Sequence, residues 1–155
     1  MMTELASLSG ELDRRTSEEN DSGINLLLVS RREHEVYNSV GHSLPAIKRR
    51  LPYNPVNMNP SDAQRLKINH GQSVDIRSAT GQTLGIVHVT DTVRAGVISV
   101  SHGFPNMDIK SSKSKEKFAG TGVSTLIDDA LLCDRFSGMP QMSALPVCVT
   151  RSDRK

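Results

Sequence analysis

The sequence predicts a small, mainly β barrel with short helices. Short apolar or alternating runs recur along residues 24–150, each bounded by Gly, Pro or Asn. Stretches with helical spacing reach only one or two turns. The 155 residues suffice for one domain with a real core and are too few for two full catalytic domains. Roughly six short strands with little helix argue for a closed barrel over a layered α/β sheet.

Residues 1–22 hold six acids and two arginines, a net −4, and offer only Leu5, Leu8 and Leu12 at helical spacing. They read as a disordered or frayed acidic leader, with the barrel over 23–155. The apolar run 24–30, bounded by Gly23 and by charge, predicts a strand buried on both faces. Residues 51–60 are punctuated by Pro52, Pro55 and Pro60 with Asn54, Asn57 and Asn59, and no helix begins before they end. Asn59 then stands at an N-cap and Pro60 at the first helical position, predicting a helix of one or two turns. Gly71 breaks the chain, and residues 73–78 alternate as a half-buried strand does. Gly81-Gln82 joins that strand to 84–89 as a hairpin, and Arg94-Ala95-Gly96 turns into a strand over 97–101. Residues 104–121 read as a long connection with a basic, mobile centre at 110–117. A helical turn or two is expected over 124–132. The last strand covers 145–150, and Pro146 is expected to begin it or to lie on an edge.

The whole chain carries +2, so residues 23–155 carry +6, a modest basic excess that suits a phosphate-bearing ligand. With no Trp, two Tyr and three Phe, a base-stacking platform and nucleic acid as partner are excluded. Cys133 and Cys148 make neither a disulfide framework nor a metal finger and read as reduced packing thiols. The longest apolar run, Leu26-Leu27-Leu28-Val29, is far below a membrane span. Ser30-Arg31-Arg32 follows that run, whereas a twin-arginine export signal precedes one, so a cytoplasmic chain is expected. The histidines show no metal-ligand spacing, and no nucleophile–base pair is recognisable, so neither a metal site nor a catalytic group is expected.

An ordered succession of short motifs is more specific. Leu28-Val29-Ser30-Arg31-Arg32 is followed by Tyr37-Asn38-Ser39, Val56-Asn57-Met58-Asn59-Pro60-Ser61-Asp62-Ala63, Gly71-Gln72-Ser73-Val74 and Arg94-Ala95-Gly96-Val97. His102-Gly103, Asp128-Asp129, Ser137-Gly138-Met139-Pro140 and Ser143-Ala144-Leu145-Pro146-Val147 continue it. The series, over about residues 24–151, resembles the C-terminal molybdopterin-dinucleotide-binding domain of molybdenum and tungsten oxidoreductases, the group of dimethyl sulfoxide reductase and formate dehydrogenase.

The resemblance implies a six-stranded double-psi β-barrel and a bis(molybdopterin guanine dinucleotide) cofactor with Mo or W, shared with a larger catalytic oxidoreductase chain or further domains. Its implied contacts are Arg31, Arg32, Asn38 and Ser39 toward phosphates, Asn59 and Asp62 toward base and ribose, and His102 near the pterin. Ser124 stands where many members carry an Asn-rich stretch. Plainer readings stay open: the arginines can simply end a strand, Asn59 can be a cap alone, Asp62 can complement a helix dipole, and His102 can be a surface residue. The metal-ligating residue of such enzymes lies in an earlier domain, so this chain is expected to position the cofactor and not to catalyse by itself. The alternative is a partner-binding double-psi module without cofactor. A self-processing decarboxylase on the same barrel would need a Gly-Ser pair, which this sequence lacks.

Overall fold

Six strands form because six stretches of this chain place side chains that need a core on one face of an extended backbone. In the computed structural model, which describes residues 23, 25–42, 44–105, 120–129, 133–134 and 136–152, they are β1 (Leu26–Arg31), β2 (Val56–Met58), β3 (Ser73–Arg77), β4 (Gln82–Val89), β5 (Val97–Ser101) and β6 (Ser143–Arg151). They close in the order β1-β5-β2-β4-β3-β6. β1 is parallel to β5 and β2 to β4, and the other pairings are antiparallel. This is the double-psi barrel that the resemblance implies. Leu28, Met58, Ile76, Ile98 and Leu145 meet inside it, with Leu126 from a 3-10 turn (Val123–Leu126).

Two short helices accompany the strands, α1 (Pro45–Arg50) and α2 (Pro60–Leu66). At α2 the expected cap is present: Ser61 N–H donates to Asn59 Oδ1 at 2.9 Å, and Pro60 follows the cap. α1 is not expected from the sequence. It buries no residue, so there is no apolar stripe to mark it.

Two other expectations need correction, and one strand, β2, is not expected from the sequence. β1 is not buried on both faces: Leu26 and Leu28 point inward, while Leu27 and Val29 are half-buried. β2 is a strand inside the Pro- and Asn-rich stretch, three residues long and buried throughout, which leaves no alternation to read. Pro146 lies within β6, opposite Leu27. Leu27 N–H donates across to Gly96 O at 3.0 Å, on the β5 side, so Leu27 and Pro146 face each other without ladder bonds. The missing proline N–H falls on the β3 side, where pairing begins only at Cys148. The expected helical turn after residue 123 is the 3-10 turn. The leader 1–22, the basic tract 110–117 and residues 130–132 lie outside the described residues.

Candidate functional site

Parallel strands leave a barrel at the same end, so the chain after β1 meets the chain after β5. Arg31 pairs with Ser101. The next residue, His102, donates its backbone N–H to Arg31 O at 3.2 Å, and its ring Nδ1 lies 2.9 Å from the same oxygen. Its Nε2 is 3.0 Å from Asn38 Oδ1. Asn38 sits in the loop after β1, which is closed by paired backbone bonds between Tyr37 and Val40 at 3.1 and 2.9 Å. Its φ of 52° is left-handed, a region that Asn tolerates better than most residues.

Behind the loop, His42 Nε2 donates to Asn38 O at 3.1 Å, and its ring lies 4.1 Å from that of Phe104. Gly103 makes the approach of the two segments possible. Its φ is +87°, and a Cβ there would stand 2.2 Å from Asn38 O.

Beside this contact opens a cleft of about 350 Å³, walled by Arg32, Glu33, His34, Tyr37, Asn38 and His102. Its charges are unequally occupied. Arg31 Nε lies 3.3 Å from Glu33 Oε1, and the same oxygen accepts from Ser101 Oγ, so the Arg31 and Glu33 charges face each other. Arg32 is exposed and has no ion pair among the described residues. A guanidinium therefore converges with an amide braced by an imidazole, and guanidinium and amide N–H groups both bind phosphate oxygens. Ser39, next to Asn38, is exposed at the rim.

This end of the barrel is held by Asn54, which is fully buried. Its Nδ2 donates to Ser101 O at 2.6 Å and to Thr121 O at 2.8 Å, and its Oδ1 accepts from Thr121 N–H at 2.7 Å. Sequence reading misses it, as it misses Glu33 and His42. Nothing local marks Asn54, because its partners lie 47 and 67 residues away. The same clamp brings the segment carrying Ser124 to this end, where Ser124 is exposed on the 3-10 turn and is not a wall of the cleft.

Asn59 and Asp62 are not brought to the cleft. Asn59 Oδ1 caps α2, and its Nδ2 donates to Val93 O at 2.7 Å. Asp62 Oδ1 accepts from Arg65 Nη2 at 2.9 Å, and its Oδ2 accepts from Gly96 N–H at 2.6 Å. Gly96 precedes β5, whereas His102 follows it, and six residue steps at about 3.3 Å each put roughly 20 Å between them. The structure thus does not bring the two expected base and ribose candidates to the cleft. Both side chains fasten α2 to the turn at the opposite end, and the Asp62 side chain is only 6% exposed.

No helix among the described residues is long and apolar enough to cross a membrane. Among the same residues, no three His, Cys, Asp or Glu side chains are grouped to hold a metal ion.

Known proteins extend these observations. The A-type chain of tetrathionate reductase from Salmonella typhimurium is 29% identical over 70 residues, which are 45% of this chain and 7% of that protein. The solved structure of acetylene hydratase from Pelobacter acetylenicus aligns at a TM-score of 0.70 with 16% identity, over 83% of this chain and 18% of that one. The first is a partial sequence match and the second a likeness of fold, and the chain spans only a small part of either protein. The model of the family described as "Molydopterin dinucleotide binding domain" matches residues 26–146, from the first residue of β1 into β6. That stretch contains the whole cleft and most of the chain, and with the closed barrel it shows that the chain belongs to the molybdopterin dinucleotide binding domain family.

Proposed function

We propose that the cleft between the loop after β1 and the end of β5 holds phosphates of a molybdopterin dinucleotide. The carrying observation is that Arg32 and Asn38, from the loop after β1, converge on one open cleft with His102, which lies 64 residues beyond Asn38. The residues fit such a group. Arg32 supplies a positive charge with no ion pair among the described residues, Asn38 supplies a directional amide donor braced by His102, and Gly103 keeps the two segments in contact without a side chain between them.

In this reading the guanine form, as bis(molybdopterin guanine dinucleotide) with molybdenum or tungsten, is shared with a larger catalytic oxidoreductase chain or further domains that ligate the metal. We further propose a cytoplasmic, formate-dehydrogenase-like host. When bound, the cofactor supplies electron or atom transfer. The chain's own residues bind and orient it: Arg32 offsets phosphate charge, Asn38, braced by His102, fixes the direction of the phosphate oxygens, and Asn54 holds the strand end beneath them. Ser124, exposed at the same end, is the remaining candidate for a contact away from the phosphates.

Calorimetric titration of the full chain with guanosine diphosphate and with pyrophosphate tests this. One wall of a cleft binds weakly, so dissociation constants of about a millimolar are expected. Arg32→Ala should weaken both by about tenfold, and added salt should weaken them further. No binding of either at millimolar concentration, or an Arg32→Ala variant that binds like the parent, overturns the proposal.

A further inference from the structure

Both ring nitrogens of His102 face oxygen atoms. Nδ1 lies 2.9 Å from Arg31 O, and Nε2 lies 3.0 Å from Asn38 Oδ1. A backbone carbonyl only accepts, so Nδ1 carries a proton. The same carbonyl also takes the His102 backbone N–H at 3.2 Å, which ties this side of the ring in place. A neutral imidazole protonated at Nδ1 has only a lone pair at Nε2, which an amide oxygen cannot satisfy but an amide NH₂ can. Facing Oδ1, Nε2 must donate, as in the imidazolium; facing Nδ2 it accepts, as in the neutral ring.

We infer that the protonation state of His102 selects which end of the Asn38 amide is offered to the cleft. With the imidazolium, Oδ1 is held by Nε2–H, and Nδ2, which has no partner among the described residues, is left as a donor for an anion. With the neutral ring the amide turns over, Nδ2 donates to Nε2, and Oδ1 becomes an acceptor that an anion avoids. His102 is thus a positioning residue acting through Asn38.

The surroundings permit the turn. The Asn38 backbone is fixed by His42 and by the closeness of Gly103, while its side chain is exposed. The other charged or titratable groups here are the Arg31–Glu33 pair beneath, Arg32, His34 and Tyr37 on the cleft walls, and His42 behind the loop. The consequence for anion binding rests on the proposed phosphate site, whereas the amide turn is a property of the free chain.

The test reads His102 and Asn38 by ¹⁵N magnetic resonance of the full chain between about pH 5 and 8.5, the range in which imidazoles change charge, with and without pyrophosphate. In the free chain the Asn38 side-chain NH₂ signals should move with the same midpoint as the His102 ring, and a coupling from Nδ2 to His102 Nε2 should appear on the alkaline side. Pyrophosphate should bind about tenfold more tightly at the acidic end, with proton uptake. His102→Gln should abolish that pH dependence. Asn38→Asp, which presents oxygen whichever way it turns, should bind pyrophosphate weakly at every pH. Asn38 signals indifferent to the His102 titration, or parental binding by Asn38→Asp, overturn the inference. If the amide turns but pyrophosphate binds at no pH, the inference about the amide stands and the phosphate-site reading falls.

Discussion

Asn38 and Asp62 are both polar residues flanking strands of one barrel, yet their side chains do different work. Asp62 is 4% exposed with both oxygens engaged, so it is a fastener. Asn38 is exposed, has one oxygen engaged and is held in a left-handed turn, so it is available to a ligand. Sequence reading finds both positions and cannot tell them apart, because the Asp62 partner Gly96 lies 34 residues away. Arg31, Arg32 and His102 are legible for a simpler reason: each directly ends or follows a strand that can be read, β1 as an apolar run and β5 from the turn before it. Gly103 offers a prediction at this scale. Gly103→Ala should lower stability by about 1–3 kcal/mol, from the strain of a positive φ and the contact with Asn38 O, and should abolish pyrophosphate binding. Gly96→Ala is the control, since Gly96 has φ +84° with open space around it. It should cost stability from backbone strain and leave binding intact, as measured by urea unfolding and calorimetry. Equal binding by both variants would refute the role of the Gly103–Asn38 contact.

Legibility among the elements follows burial pattern. β3, β4 and β5 are found because strand alternation and turn residues agree there, and α2 because its cap and proline do. β2 and α1 are missed for opposite reasons, one buried throughout and the other buried nowhere. The turn before β6 has its own chemistry. Asp134 Oδ1 accepts from Ser137 N–H at 2.8 Å, Ser137 Oγ at 2.7 Å and Phe136 N–H at 3.2 Å. These bonds, the Ser137 backbone donor foremost, hold the Asp134 carboxyl below the usual carboxylate range. A lowered value means that the ionised form stabilises the turn. That contribution is complete above the unfolded-chain value and is lost as pH falls through the folded one. On acidification the Phe136 and Ser137 amide resonances should therefore shift before those of β6, and Asp134→Asn should remove the early step while keeping the turn near neutral pH. Simultaneous movement of turn and strand in the parent would refute this.

Over the whole molecule, β6 completes the ring by pairing with β1 through its first half and with β3 through its second. The strand order cannot be read from the residues alone, because pairing Leu26 with Val147 joins the two extremes of the described barrel. The resemblance supplies it. Every strand pairing among the described residues lies within residues 26–151, and removing residues 1–22 should shift the melting temperature by no more than about 2 °C and leave pyrophosphate affinity unchanged. A loss above about 2 kcal/mol in urea unfolding would show that the leader packs on the barrel. Closure also restricts how this molecule meets others. A ring of strands keeps its backbone donors and acceptors for itself, so it has no edge on which a neighbour's strand can be added by β-augmentation. A partner must grip side chains at the rims, where a few point contacts set both register and strength, so such an assembly would be dismantled by single substitutions.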